Sequence, residues 1–290
     1  MLIPGSRLES SEAILSFWKD YTPELLNQKL CRMVLSVQKK ASRLMMLGEL
    51  GRFPILIKAL ASVFKYQHSL EYSSNSNTII SKVFKEMKSS LNVGEDNCLQ
   101  RVDNLKKQLG ISIAPYLKPE LIAGKIKTKL ESKFERYWLD KINEVKWVDG
   151  RDTNKCRFYK QFKACFKQEQ YLTLIRNRNQ RSQLTRLRTS THSPGIERMW
   201  YLTPAVPPEL RHCKYCSDPA VRAELGLGNK NPEPDTEEHF VLQCHLFTIK
   251  RNCFLGKLSS LGVNVNGSGL LYTLLCPTNI KVAKVTNKFL

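Results

Sequence analysis

The stretch KPELIAGKIKTKLESKFERYWLDKINEV, residues 118–145, decides the fold class. Ile122, Ile126, Leu130, Phe134, Trp138 and Ile142 recur at steps of four. That step drifts slowly round a helix and still leaves one broad apolar stripe. The other faces carry Lys125, Lys127, Lys129, Lys133, Arg136 and Lys141. The spacing predicts a long helix with one buried side and a basic exterior.

The same periodicity runs back toward the start. PELLNQKLCRMVLSVQ, residues 23–38, places Leu26, Leu30, Met33, Val34 and Val37 on one helical face, with Cys31 in or beside it. Pro23 suits the first turn. GELGRFP, residues 48–54, reads as a turn punctuated by Gly48, Gly51 and Pro54. Helices are expected from Pro54 to Tyr72, over 77–91 with Asn77 as cap, and over 98–110 with Gly110 as terminator. Beyond the long helix, Asp152 opens an expected amphipathic helix with Phe158, Phe162, Cys165 and Phe166 on its apolar side. The class is therefore mainly α.

The totals bound the function. At 290 residues and 42% hydrophobic, the chain is long and apolar enough to bury a core. A formal net charge of +20 suits a polyanion, nucleic acid first among them. No apolar run reaches the roughly 18–20 residues of a membrane span, so no membrane partner is expected. The opening residues resemble no signal peptide, which makes an intracellular location, nucleus or cytoplasm, and reduced thiols the expectation. Nine cysteines at irregular spacing argue against a disulfide framework.

Charge concentrates in the middle. Residues 118–188 hold 19 Lys and Arg against 8 Asp and Glu, which gives +11 of the +20. Residues 170–196 hold no acid. Arg176, Arg178, Arg181, Arg186 and Arg188, with His192 and Arg198 further on, are the candidate nucleic-acid contacts. A solvated helix face is the alternative for any single arginine. Tyr171, Phe158, Tyr159 and Trp147 lie close enough in sequence to stack on bases or to pack in a core.

CKYC at 213–216 and HFVLQC at 239–244 then form C-x2-C-x22-H-x4-C. Two cysteines from one tight turn, with a histidine and a cysteine from a second element, are the ligand types of a tetrahedral structural zinc site. The candidate ligands are Cys213, Cys216, His239 and Cys244, with His212 and His245 as possible substitutes. Buried thiols or a redox pair are the other readings. Thr236 caps an expected helix running to Gly262, with Glu237 and Glu238 in its first turn. Five residues on an α-helix turn through about 500°, leaving His239 and Cys244 about 140° apart, from where both side chains can still reach one ion near the helix N-terminus. The spacer between the pairs reads as a loop. No hydrolase, metalloprotease or phosphate-loop motif is present, nor an Asp-Asp pair, so no catalytic residue and no small-molecule substrate are expected.

Three stretches together resemble one family. LNQKLCRMVLSVQKKASRLMMLGELGRFPILI (26–57) is similar to the region just after the polymerase core of non-LTR, LINE-type retrotransposon reverse transcriptases. SQLTRLRTSTHSPGIERMW (182–200) is similar to the basic segment before their cysteine–histidine motif, and CKYC…EEHFVLQC to that motif. The family's spacing between ligand pairs is shorter. The resemblance implies a helical thumb-like region (1–115), a basic helical region (116–190), a zinc-knuckle module (191–262) and a tail (263–290). It implies RNA or DNA binding with Cys213, Cys216, His239 and Cys244 on zinc. The family's catalytic aspartates and endonuclease have no counterpart here. A truncated polymerase polypeptide inactive on its own, or a helical protein-interaction module, stands as the alternative.

Overall fold

The computed structural model describes residues 22–72, 78–90, 98–113, 118–148, 151–152, 156–191, 206–207, 210–227, 234–267 and 269–290. These are mainly helical, as expected: α1 Thr22–Leu35, α2 Arg43–Leu50, α3 Ile55–Glu71, α4 Ile79–Ser90, α5 Cys98–Gln108, α6 Pro119–Asn143, α7 Tyr171–Leu174, α8 Arg178–Arg188, α9 Pro219–Glu224, α10 Thr248–Ser259, α11 Leu270–Leu275 and α12 Ile280–Phe289. A two-stranded antiparallel hairpin, β1 Trp147–Val148 with β2 Arg151–Asp152, is the only sheet among them. Asn77, expected as a cap, lies outside the described residues.

Contacts divide the chain into two compact units, Met1–Lys29 with Phe53–Trp138, and Leu30–Arg52 with Leu139–Leu290. The core of the first is built on α6. The five stripe residues that lie in this unit, Ile122 to Trp138, are buried, and so is the sixth, Ile142, which belongs to the second unit. Phe134 meets Phe53 edge-on at 6.0 Å, and α3 adds Leu56, Ile57, Leu60 and Phe64 to the core. Gly110, at φ +57°, closes α5 in the left-handed region. The exposed end of α5 is then tied to α6, because Lys129 and Lys133 donate to the carbonyls of Gly110 and Leu109.

α1 buries a different face from the one its apolar spacing predicts. Leu26 and Met33 are 63% and 58% exposed, and Leu30 and Val34 are also exposed. Glu24, Asn27, Cys31 and Leu35 point inward instead. The reason is Glu24. One of its oxygens accepts from the Ile55 N–H at 2.9 Å and the other from Asn27 at 3.1 Å. Its carboxylate thereby caps the N-terminus of α3, where an acid is favoured by both hydrogen bonding and the helix dipole. A buried acid at residue 24 fixes the rotation of α1.

The second unit is organised round a buried ionic cluster. Arg188 places Nε and Nη2 on the two oxygens of Glu49, each at 2.9 Å. Nη2 also lies 2.8 Å from Glu169, and Nη1 donates to the Leu275 carbonyl. Tyr171 donates to Glu49 at 2.6 Å, and Lys163 pairs with Glu169. The rings of Phe162 and Tyr171 cover the guanidinium at 4.6 and 5.1 Å. Gly51 ends α2 at φ +56°, and a Cβ there would collide with the backbone of Lys167 and Gln168. That close approach lets Glu169 N–H donate to the Glu49 carbonyl at 2.9 Å.

Three local expectations change. Gly48 lies inside α2, so the turn of GELGRFP starts at Gly51. The helix expected from Asp152 does not form. Asp152 is in β2, and residues 156–170 are turns with a short 3-10 segment, Tyr159–Gln161. Phe158 and Phe162 are buried as expected, whereas Cys165 is exposed. Phe162 packs edge to face against both Phe158 and Tyr159. Residues 263–290 contain α11 and α12. α12 packs against α10, α8 and α7, with Phe289 stacked on Phe254 at 4.5 Å.

Burial works against ionisation of Glu49, but the Arg188 charge and its hydrogen bonds, with Tyr171 and Lys163, outweigh it and hold the carboxyl below its ordinary range. A lowered native value stabilises the fold above the unfolded carboxylate value, and the contribution is lost as pH falls through the native one. Glu49→Gln should cost about 3–5 kcal/mol, because it strands a buried guanidinium. Denaturant unfolding at neutral and acidic pH checks this. The two proteins should differ most near neutrality and converge in acid, and equal stability at pH 7 contradicts the assignment.

Candidate metal centre

The four residues singled out by spacing come together. The ligand atoms of Cys213, Cys216, His239 and Cys244 all lie within 4.8 Å of one another, and all four residues are buried. Cys244 Sγ is 3.8 Å from Cys213 Sγ and 3.7 Å from Cys216 Sγ. A tetrahedron with metal–sulfur bonds of about 2.3 Å has edges of about 3.8 Å. The arrangement therefore fits a four-coordinate metal ion. His212 and His245 are not part of the group.

Backbone hydrogen bonds bring the two halves together. Ser217 N–H returns to the Cys213 carbonyl at 2.9 Å, closing the tight turn that carries the first pair. His212 bridges Pro234, and Asp235 N–H donates to the Arg211 carbonyl at 2.8 Å. The spacer thus leaves and re-enters beside the site. Its first part is not a plain loop. Asp218 accepts from the Ala220 and Val221 N–H groups and starts α9, with Pro219 in the first turn. Residues 228–233 lie outside the described residues.

The second half departs from the single helix expected over 236–262. Thr236 does cap it, accepting from the His239 N–H at 3.0 Å. Residues His239–Gln243 then form one wide π turn, and Cys244 N–H donates to the His239 carbonyl at 2.6 Å. Cys244 itself is extended, at φ −56° and ψ 123°, and α10 begins only at Thr248. The wider turn and the break bring residues 239 and 244 to one side, nearer than the ~140° separation of a regular α-helix. Glu237 is buried rather than facing solvent. It pairs with Arg157 at 3.6 Å and accepts from Ser190 at 3.1 Å.

Arg251 is a residue that motif reading passes over. Its guanidinium is buried against the break, with Nη1 2.8 Å from the Cys244 carbonyl and Nη2 3.4 Å from that of Gln243. It satisfies carbonyls that the interrupted helix leaves orphaned. In sequence it is one more cation, and only its place two turns after Cys244 sets it apart.

The thiols behave as a coupled set. The hydrogen bond from Cys244 pulls Cys213 down to about 3, against burial and with further help from His239. Cys244 holds the shared proton and is driven well up, and Cys216 is raised by burial. Sulfurs this close cannot all ionise alone. A cation between them displaces the remaining protons, so metal binding and deprotonation are one event.

The candidate nucleic-acid residues divide. Arg188 is corrected: fully buried and forked onto Glu49, it has no donor facing solvent. Arg181 reaches the carbonyls of Leu172 and Ile175 at the end of α7. Arg178 donates to Met33 O and Ser36 Oγ, and Arg186 to Ser36 O, both at the end of α1. Arg176, Arg178 and Arg186 are exposed. His192 and Arg198 lie outside the described residues. Of the candidate stacking rings, Tyr159 and Tyr171 are fully buried and Phe158 is buried, so they serve the core. No helix among the described residues is long and apolar enough to cross a membrane. No protein-family model, curated protein or solved structure matches the chain.

Arg251→Ala removes the clamp on Cys244 while leaving all four ligands. Chelator competition should show metal affinity about 10–100-fold weaker, as for other groups that orient ligands, with helical content unchanged. Affinity equal to wild type would rule out the positioning role.

Proposed function

We propose that the chain is a nucleic-acid-binding protein whose C-terminal module is built round one structural zinc ion, and that it derives from the region after the palm of a non-LTR reverse transcriptase. Three thiolates and an imidazole in a closed tetrahedral set are the donors zinc prefers, and four protein ligands leave no coordination position for substrate. The zinc in this reading is architectural. No catalytic residue is assigned, and polymerisation is not part of the proposal.

The observation that carries the nucleic-acid reading is the cation excess of residues 118–188, in which Arg176, Arg178 and Arg186 are exposed. Among the described residues, Lys129, Lys133, Arg178, Arg181 and Arg186 donate to helix-end carbonyls, whereas Lys88, Lys106, Lys127, Lys141, Arg157, Lys163 and Arg188 pair with carboxylates. A carbonyl satisfies a donor without cancelling its charge. The excess of 46 basic over 26 acidic residues sets a positive field for a polyanion, and cations resting on neutral carbonyls keep that field local to them. Each arginine also keeps further N–H groups for phosphate.

Titrating a fluorescent single strand with metal-loaded protein tests this. Between about 50 and 200 mM salt the Kd should rise at least 10³-fold if six or more phosphates are contacted. Arg176→Gln and Lys125→Gln should each reduce the salt slope by about one without changing helical content. Binding that is absent, or flat across that range, would exclude this function.

A further inference from the structure

A groove of about 880 Å³ lies beside the metal centre, between α8, the turn carrying Cys213 and Cys216, α9 and the π turn. We propose that this groove receives one unpaired nucleobase from a bound single strand. The inference deepens the nucleic-acid reading and rests on it. Volume alone places the groove within the range of small-ligand sites, about 300–1,000 Å³. Its chemistry narrows the occupant.

The walls are largely apolar and aromatic. Phe240 and Phe247 pack edge to face at 5.1 Å and present a fixed surface, and α8 contributes Leu187. Tyr215 stands at the rim, 37% exposed, between the two ligands of the tight turn. A metal ion that holds Cys213 and Cys216 fixes the backbone at Tyr215, and so the place from which its ring reaches the groove. The polar edge carries Arg186 and Lys214 together with Asp218 and Asp235. Two cations and two acids favour neither a bare phosphate nor a wholly apolar helix.

A nucleobase matches both halves. Its faces are flat and stack on aromatic rings, and its edge offers donors to carboxylates and acceptors to guanidinium or ammonium groups. It carries no net charge, so a locally balanced groove is no obstacle. The phosphates on either side belong to the exposed cations, of which Arg186 stands at the groove itself. Arg186 Nε is held at 3.0 Å by the Ser36 carbonyl, which fixes the direction of its remaining N–H groups.

Two probes test this on the full metal-loaded chain: an intact single strand and an abasic strand of equal length, each in ribo and deoxy form. The intact strand should bind about tenfold more tightly, the scale of one base–aromatic stack. Tyr215→Leu should remove that advantage and leave the abasic affinity and the metal content unchanged. In the wild-type protein, a 2-aminopurine in the strand should be quenched on binding and recover when Tyr215 is replaced. Equal binding of intact and abasic strands, with steep salt dependence retained, overturns the nucleobase site while the wider reading stands. Failure of every strand to bind overturns both. Should Tyr215→Leu lose its metal, the wild-type comparison still decides: no preference and no quenching reject the site.

Discussion

The guanidinium fork between Arg188 and Glu49 is the contact on which the second unit depends. Burying an ion pair is unfavourable unless every donor and acceptor is met, and here they are. Nε and Nη2 take the Glu49 carboxylate, Nη2 also takes Glu169, and Nη1 takes the Leu275 carbonyl beside Cys276. Lys163 supplies the second positive charge, so two cations face two acids. The cluster draws together α2, the turns around residues 163–171, α8 and α11. Two residues past the end of α8, Ser190 has a φ of +49° and its hydroxyl donates to Glu237. His239 follows two residues later. The histidine half of the candidate metal centre thus follows directly on a contact with the segment that carries the ionic core.

What the sequence revealed follows from which forces are local. The α6 stripe was legible because all its residues sit on one element and need only a core to face. The four metal-centre residues were legible because paired spacing on two short segments is itself a local property. The face of α1 was not, since Glu24 turns inward to cap a helix whose first residue lies 31 positions away. The break at Cys244 was hidden because TEEHFVLQCHLF has good helical periodicity. Bringing His239 and Cys244 to one site overrides that preference. Phe158 and Phe162 kept their burial but lost their helix, because tertiary packing sets side-chain depth more firmly than backbone class.

The arginines show the same limit from the other side. Composition established that residues 170–196 lack acids, and from that alone they read as uniformly exposed. Arg188 meets a glutamate 139 residues earlier, a distance no window can span. Its neighbour Arg186, two residues before it, remains exposed. One helix therefore carries cations with opposite jobs, one neutralised inside the fold and others resting on neutral carbonyls with their charge intact. Counting charge gives the field correctly, and assigning individual contacts requires the fold.

X-ray absorption at the metal edge of the purified, dialysed protein tests the central claim most directly. The account predicts one tightly held metal per chain, with three sulfur neighbours at about 2.3 Å and one nitrogen at about 2.0–2.1 Å. Cys216→Ser should reduce the sulfur shell to two. Protein that keeps its fold with no metal after dialysis, or a shell of oxygen neighbours only, would contradict it.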